Sequence, residues 1–149
     1  MKLQRASRIA LYAVLELATE PERQITAAAI ADRYGVSINH LAKVMRDLGR
    51  AGLVESVRGA GGGFRFCGNA RRTTLMDVIQ LFEAVGSEGR GASREPGERT
   101  EVGAALHQVL DEIDAIAQAT LRSITIDTML KLIDRHRPHD AGAANSRPG

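Results

Sequence analysis

Residues 37–65 read SINHLAKVMRDLGRAGLVESVRGAGGGFR. Ser37 is a residue type that caps helices, and the apolar residues that follow it recur at helical spacing, so this stretch begins with a predicted amphipathic helix. Gly52 ends the helix, and two short strands are predicted at 53–57 and 64–67. The apolar positions assigned to the buried face of the helix are Ile38, Leu41, Ala42, Met45 and Leu48.

The polar positions of this helix form a second stripe. Asn39, Lys43, Arg46 and Arg50 fall at i, i+4, i+7 and i+11, opposite the apolar face. Asparagine and arginine pair with base edges, and lysine and arginine neutralise phosphates. The stripe therefore predicts a helix that enters the major groove of DNA, and an ordinary solvated face is the alternative.

A glycine-rich tip separates the two predicted strands. It reads Arg58-Gly59-Ala60-Gly61-Gly62-Gly63, with Arg65 following, so it has little bulk and two arginines at its base. Such a wing can approach a sugar-phosphate backbone closely. A nucleotide-binding loop is disfavoured, because Phe64 stands where a G-x-G-x-x-G motif needs its third glycine and no Gly-Lys-Ser/Thr occurs. A hairpin turn without function stays open.

The flanking sequence predicts a mainly α fold with a small two-stranded β wing, that is, a winged helix-turn-helix followed by a long C-terminal dimerisation helix. Thr26 caps a helix that ends at Tyr34, and Gly35 forms the turn into the next helix. The predicted parts are a winged helix-turn-helix at 1–72, a helical sensing and dimerisation region at 73–134 and a disordered tail at 135–149. The remaining predicted elements are helices at 7–19, 73–85, 99–122 and 124–133 and a mobile loop at 86–98.

The predicted long helix carries an apolar seam. Its members alternate by four and three residues, which suits packing against a partner helix, and packing on the chain's own core is the alternative. The predicted dimerisation residues are Val102, Leu106, Val109, Ile113, Ile116 and Leu121.

Composition limits the function classes. Residues 1–72 carry twelve Lys/Arg against six Asp/Glu, whereas residues 73–149 carry eight against twelve, which suits a DNA-reading part joined to an assembly part. The single cysteine excludes an internal disulfide framework, and no catalytic motif stands out, so we do not expect an enzyme. Lys2, Arg5 and Arg8 precede an apolar run at 9–15, but Glu16 breaks it, so a buried helix and a cytoplasmic protein are expected.

These residues resemble the Rrf-two family of bacterial winged helix-turn-helix transcriptional regulators, in its IscR/NsrR-like group. The matching segments are Tyr-Gly-Val-Ser at 34–37, Leu-x-Arg-Ala-Gly-Leu-Val at 48–54, Val-Arg-Gly-x-Gly-Gly-Gly-Phe-Arg at 57–65 and Ser-Ile-Thr-Ile at 123–126. The resemblance covers about residues 1–134 and implies a homodimer, usually a repressor, on a roughly palindromic operator. The residues expected to contact DNA are Ser37, Asn39, His40, Lys43, Arg46, Arg58, Gly59, Gly61, Gly62, Gly63 and Arg65.

The chain departs from this family at the iron–sulfur cluster that many members hold with three cysteines. Residues 86–106 contain no cysteine, Ala104 takes the place of the third one, and Arg8 stands where some members have a ligating aspartate. His107 matches the position of a histidine ligand, but one histidine cannot hold a thiolate-bound cluster. We therefore expect no metal and no cofactor, with His107 as a candidate effector-site residue for a small molecule, a protein or haem.

Neither the cysteine nor the histidine pair near the C-terminus is expected to form a ligand site. Cys67 is expected to be a small packed residue rather than a ligand or redox switch, and His136 and His139 are expected to be a solvated pair in the tail. Two other functions stay open: a winged helix that binds only proteins, and a regulator with an atypically ligated iron–sulfur cluster or haem.

Overall fold

The computed structural model describes residues 2–59, 61–83 and 95–138. In these residues the chain forms six α-helices, a short 3₁₀ helix at Pro96–Arg99 and two antiparallel strands. The helices are α1 (Arg5–Thr19), α2 (Ala27–Tyr34), α3 (Ile38–Arg50), α4 (Leu75–Ile79), α5 (Glu101–Ser123) and α6 (Ile126–His136), and the strands are β1 (Val54–Val57) and β2 (Gly63–Phe66).

Local capping chemistry fixes the starts of α2 and α3. The Thr26 hydroxyl accepts a hydrogen bond from the Ala29 N–H at 3.1 Å, and Gly35, with φ at 62°, ends α2 in the left-handed conformation. Such a glycine costs little there because it has no Cβ to clash. The predicted helix, glycine turn and helix are therefore confirmed, and so is the winged helix-turn-helix fold.

The core lies between α1 and the elements packed around it. Helix α1 contacts α3, α4, α6 and β2. Most of its apolar run is buried or half-buried as expected, whereas Tyr12 is 40% exposed. The largest fully buried side chains of the core are Leu17, Ile30, Leu41, Met45, Leu48, Met76, Ile79 and Ile126.

The wing has a third contributor that periodicity did not indicate. Strands β1 and β2 pair from Val54↔Phe66 to Val57↔Gly63, and Ile25 then pairs with Phe64 on the other edge of β2. Both backbone hydrogen bonds of this second pairing form, at 2.9 and 2.8 Å. The wing is therefore fastened to the residues immediately before α2.

Helix α4 is shorter than predicted. It ends at Ile79 and passes into turns, while Glu83 reaches the start of α1 and accepts hydrogen bonds from the Gln4 N–H (3.1 Å) and the Ser7 hydroxyl (2.5 Å). Residues 80–83 form i→i−3 and i→i−4 backbone hydrogen bonds in turns rather than a regular continuation of α4. Residue Val85 and the predicted loop up to residue 94 lie outside the described residues.

Helix α5 leaves the core and buries none of its residues. Five of the six predicted seam residues are exposed, from 52% for Val109 to 80% for Val102, so the alternative of packing within one subunit is wrong for them. Leu121 differs, because it is half-buried against the subunit's own core. The exposed set is Val102, Leu106, Val109, Ile113 and Ile116.

The chain returns to the core through a short extended link. The Leu75 N–H donates to the Ile124 carbonyl and the Ile126 N–H to the Thr73 carbonyl, both at 2.9 Å, so α6 starts at Ile126 rather than at Ile124. Helix α6 also continues through His136, and the predicted tail boundary at residue 135 is therefore too early. His136 is exposed, and His139 lies outside the described residues.

Candidate nucleic-acid interface

Helix α3 has one buried face and one exposed polar face. Its buried side chains are Leu41, Val44, Met45 and Leu48, which are themselves spaced at i, i+3, i+4 and i+7. The opposite face carries Asn39, Lys43, Arg46 and Arg50, all exposed. The structure therefore gathers the predicted polar stripe on one accessible surface.

Two apolar residues of α3 were placed on the wrong face. Ile38 is 51% exposed and Ala42 is exposed as well, while Val44, which was not assigned to the core face, is 2% exposed. Residues 38, 41, 42 and 45 satisfy the same spacing rule as 41, 44, 45 and 48, so the sequence offers two registers. The packing of α1 and α2 against α3 selects the second one.

The start of α3 is held by its own side chains. The Ser37 hydroxyl accepts from the His40 N–H at 3.3 Å, which makes Ser37 a helix cap first. Ser37 stays exposed and His40 is half-buried, so both lie at the same end of the stripe as Asn39.

The two wing arginines differ in their surroundings. Arg65 and Glu55 face each other across the strand pair, and the Arg65 Nε donates to the Glu55 carboxylate. Arg58 lies just beyond β1 and is exposed. The Arg65 charge is thus engaged within the wing, whereas Arg58 is presented toward solvent near the tip.

The wing glycines serve two different needs. Gly59 and Gly61 have φ values of 120° and 77°, and a Cβ at either would meet open space. A Cβ at Gly62 would lie 2.6 Å from the Val57 carbonyl oxygen, and one at Gly63 would lie 2.5 Å from the Ile25 carbonyl oxygen. Gly62 and Gly63 are therefore required by packing inside the protein, while Gly59 and Gly61 shape the outer turn.

A polar and aromatic cluster at the end of α2 was not predicted. The Tyr34 hydroxyl donates to the Glu16 carboxylate, the Arg33 guanidinium lies 3.0 Å from the same carboxylate, and the Tyr12 and Tyr34 rings stack at 4.9 Å. Burial, followed by the hydrogen bond to Glu16, raises the pKa of Tyr34 to about 12. The cluster joins the end of α2 to α1, and its members are too far apart in sequence for a local signal.

Cys67 was wrongly interpreted as a packed residue. It is exposed just after β2, where the alternation that buries Phe66 turns the next side chain outward. Its thiol lies 3.4 Å from the Gly52 carbonyl oxygen. Burial of the thiol, followed by the nearby Glu55 charge, raises the pKa of Cys67, which disfavours the reactive thiolate.

His107 lies on α5, half-exposed, with its Nε2 3.3 Å from an Asp111 carboxylate oxygen. It borders a groove of about 420 Å³. The lining residues are Glu98, Ala104, His107, Gln108, Asp111, Glu112 and Ala115. Among residues 2–59, 61–83 and 95–138, no three histidine, cysteine, aspartate or glutamate side chains are grouped as a metal site.

The described helices were also compared with the length and apolar composition of a membrane-spanning helix. Within the three described ranges, none combines the length and the apolar composition that crossing a bilayer requires.

Comparisons with known proteins agree with this geometry. Residues 3–132 match the family model described as Rrf2, iron-dependent transcriptional regulator. The whole chain aligns, at 50% identity over 155 residues, with 97% of a Rhodopseudomonas palustris protein that bears the name HTH-type transcriptional regulator BadM.

Solved structures extend the likeness to three dimensions. The IscR of T. potens matches with a TM-score of 0.71 and 25% identity over 93% of each chain. CymR, the global cysteine regulator of B. subtilis, matches with a TM-score of 0.68 and 26% identity over 89% of this chain and 98% of its own. With a family match over nearly the whole length and a winged helix that presents a basic stripe, the chain belongs to the Rrf2 family of transcriptional regulators.

Proposed function

We propose that this regulator is a homodimeric repressor that reads an inverted-repeat operator through α3 and the wing. The observation that carries the proposal is the exposed stripe of α3, which places an asparagine and three cations opposite the buried face. An α-helix fits the major groove, and these side chains are the types that pair with base edges and phosphates there.

The contacts divide by chemistry. Asn39 and Arg46 read bases, with Ser37 and His40 beside them at the start of the helix, and Lys43 binds phosphate. At the wing, Arg58 reaches the neighbouring backbone, and the outer turn with Gly59 and Gly61 approaches it. Gly62, Gly63 and Arg65 contribute by holding the wing in shape, since each is already engaged within the protein.

The proposed dimer is built on α5. This 23-residue helix exposes a seam of five large apolar residues, and exposing such a surface to water is unfavourable. In the proposed dimer, the same helix of a second copy packs against this seam across a two-fold axis. Two α3 helices related by a two-fold axis would then enter successive major grooves about 34 Å apart, which is one turn of DNA.

The residues of this chain do not fit the thiolate-bound iron–sulfur cluster of the family. The one cysteine, Cys67, is at the wing and directs its thiol toward the Gly52 carbonyl, while His107 on α5 faces Asp111. A cluster held through sulfur needs several thiolates at one place. We therefore propose that DNA binding here does not depend on such a cluster.

We further propose the groove beside His107 as the effector site. Its volume suits a small organic molecule, and its imidazole, amide and carboxylate groups offer polar contacts. It lies on the helix proposed to form the dimer, so a bound molecule is positioned to alter the spacing of the two recognition helices.

Selection from a random duplex library with the full chain tests the operator proposal. We expect inverted repeats whose half-sites are centred about one helical turn apart. Recovery of only asymmetric sequences, or of none at low salt, refutes it.

A further inference from the structure

The flanks of the α3 stripe differ in chemistry. On one side lie Ile38, Ala42 and Gly49, all exposed and all without a polar side-chain atom. On the other lie His40 and Asp47, both half-buried. The stripe that we propose as the base-reading surface therefore has an apolar border on one side only.

Ile38 is unusual for its position. It is the first residue of α3 and is 51% exposed, although the same helix buries four apolar side chains within its next ten residues. It is one helical turn from Ala42 and adjacent in sequence to Asn39, so the two apolar groups continue the proposed interface rather than form a separate patch.

The major groove offers one apolar feature on its base edges, the 5-methyl group of thymine. For a side chain without hydrogen-bonding atoms, this methyl group is the base-specific partner for favourable contact. Ala42 carries a single methyl group, so it lets the helix lie close to the bases, while the longer Ile38 extends from the helix start.

We propose that Ile38 and Ala42 read thymine methyl groups next to the bases contacted by Asn39 and Arg46. This inference rests on the proposed binding of α3 in the major groove. It adds that part of the operator sequence is specified by apolar contact, at thymines that accept no hydrogen bond from the protein.

Replacing thymine by uracil removes the methyl group and leaves base pairing intact, so it tests the contact directly. Starting from a selected operator, each thymine is replaced in turn in both half-sites, and the affinity of the full-length protein is measured. We expect one or two uracil substitutions to weaken binding about fourfold per half-site, the size of effect given by burial of one methyl group.

Variants connect the thymine to the side chain. In Ile38→Ala, one of the sensitive thymines should become indifferent to uracil. In Ala42→Gly, which removes the only side-chain carbon at that position, the neighbouring thymine should do so. Leu132→Ala is the matched control, because Leu132 is a 39% exposed apolar residue on α6 and should keep the wild-type pattern. Circular dichroism melting verifies that each variant is folded.

The outcomes distinguish failure of the proposed DNA reading from failure of the methyl contact. If no sequence is selected at low salt, the proposed DNA reading itself fails. If an operator is selected but every uracil substitution is neutral, or if Ile38→Ala weakens thymine and uracil probes equally, the methyl contact is refuted while the operator proposal stands.

Discussion

Replacing Ile113 by aspartate should separate the proposed dimer. Ile113 lies at the middle of the exposed seam of α5 and is 55% exposed in one subunit. Full burial of such a side chain contributes about 1.5–3 kcal/mol, so covering the exposed half contributes about 1–1.5 kcal/mol per copy. The two-fold symmetry of a dimer doubles this to about 2–3 kcal/mol.

The carboxylate adds a second cost, because a buried charge without a partner is strongly unfavourable. Since each 1.4 kcal/mol corresponds to a tenfold change, the loss of apolar burial alone weakens association by about 30- to 150-fold, and the charge adds to it. Sedimentation velocity over a concentration series measures the change.

Ala119→Asp is the matched control, since it adds the same charge to an exposed position of α5 outside the apolar seam. We expect this variant to remain dimeric. An unchanged dimer for Ile113→Asp, or equal dissociation of both variants, would refute the assignment of the seam as the contact surface.

Three further results are expected. Asn39→Ala should lower the binding free energy for the selected operator by about 1–3 kcal/mol and relax base preference there. Arg58→Ala should instead weaken binding to all duplexes alike and flatten the salt dependence. Loss of specificity with an unchanged salt slope in Arg58→Ala would contradict the proposed phosphate contact of the wing. Protein purified without oxygen from iron-replete cells should be colourless and bind its operator, and stoichiometric iron and sulfide lost in His107→Ala would overturn this expectation. The pKa of Tyr34 is raised to about 12 in the fold, so protonated Tyr34 stabilises the folded state fully below about pH 10, and this stabilisation is lost as the pH rises toward 12. Stability should therefore fall less steeply with alkaline pH in Tyr34→Phe, as measured by circular dichroism. An identical profile would show that the contact with Glu16 does not contribute.

Short-range chemistry made much of the fold predictable. Thr26 and Ser37 act as caps within three residues of their partners, and Gly35 provides its own positive φ, so α2 and α3 could be located from local sequence. Strands β1 and β2 could be located because the glycine tip separates two short apolar runs. The exposed stripe of α3 followed from helical spacing alone.

Contacts between distant residues could not be predicted in this way. Ile25 pairs with Phe64, and Glu83 bonds to Ser7, yet neither pair is connected by any periodic pattern. The register of α3 was ambiguous for the same reason, because only packing against α1 and α2 determines that Val44 is buried and Ile38 is not. The exposure of Cys67, in contrast, follows from strand alternation, because Phe66 is buried and the next side chain turns outward.

The pairing of Ile25 with Phe64 has a consequence for the operators that one subunit can accept. Because β2 is bonded to the residues that lead into α2, and α3 packs against both α2 and β1, the base of the wing is held at a set distance from α3. A fixed distance between these two elements matches only one spacing of contacts along the duplex. In the proposed dimer, insertion of a base pair within a half-site would therefore disturb the contacts of one subunit, whereas variation between half-sites would have to be accommodated at the proposed contact between the subunits.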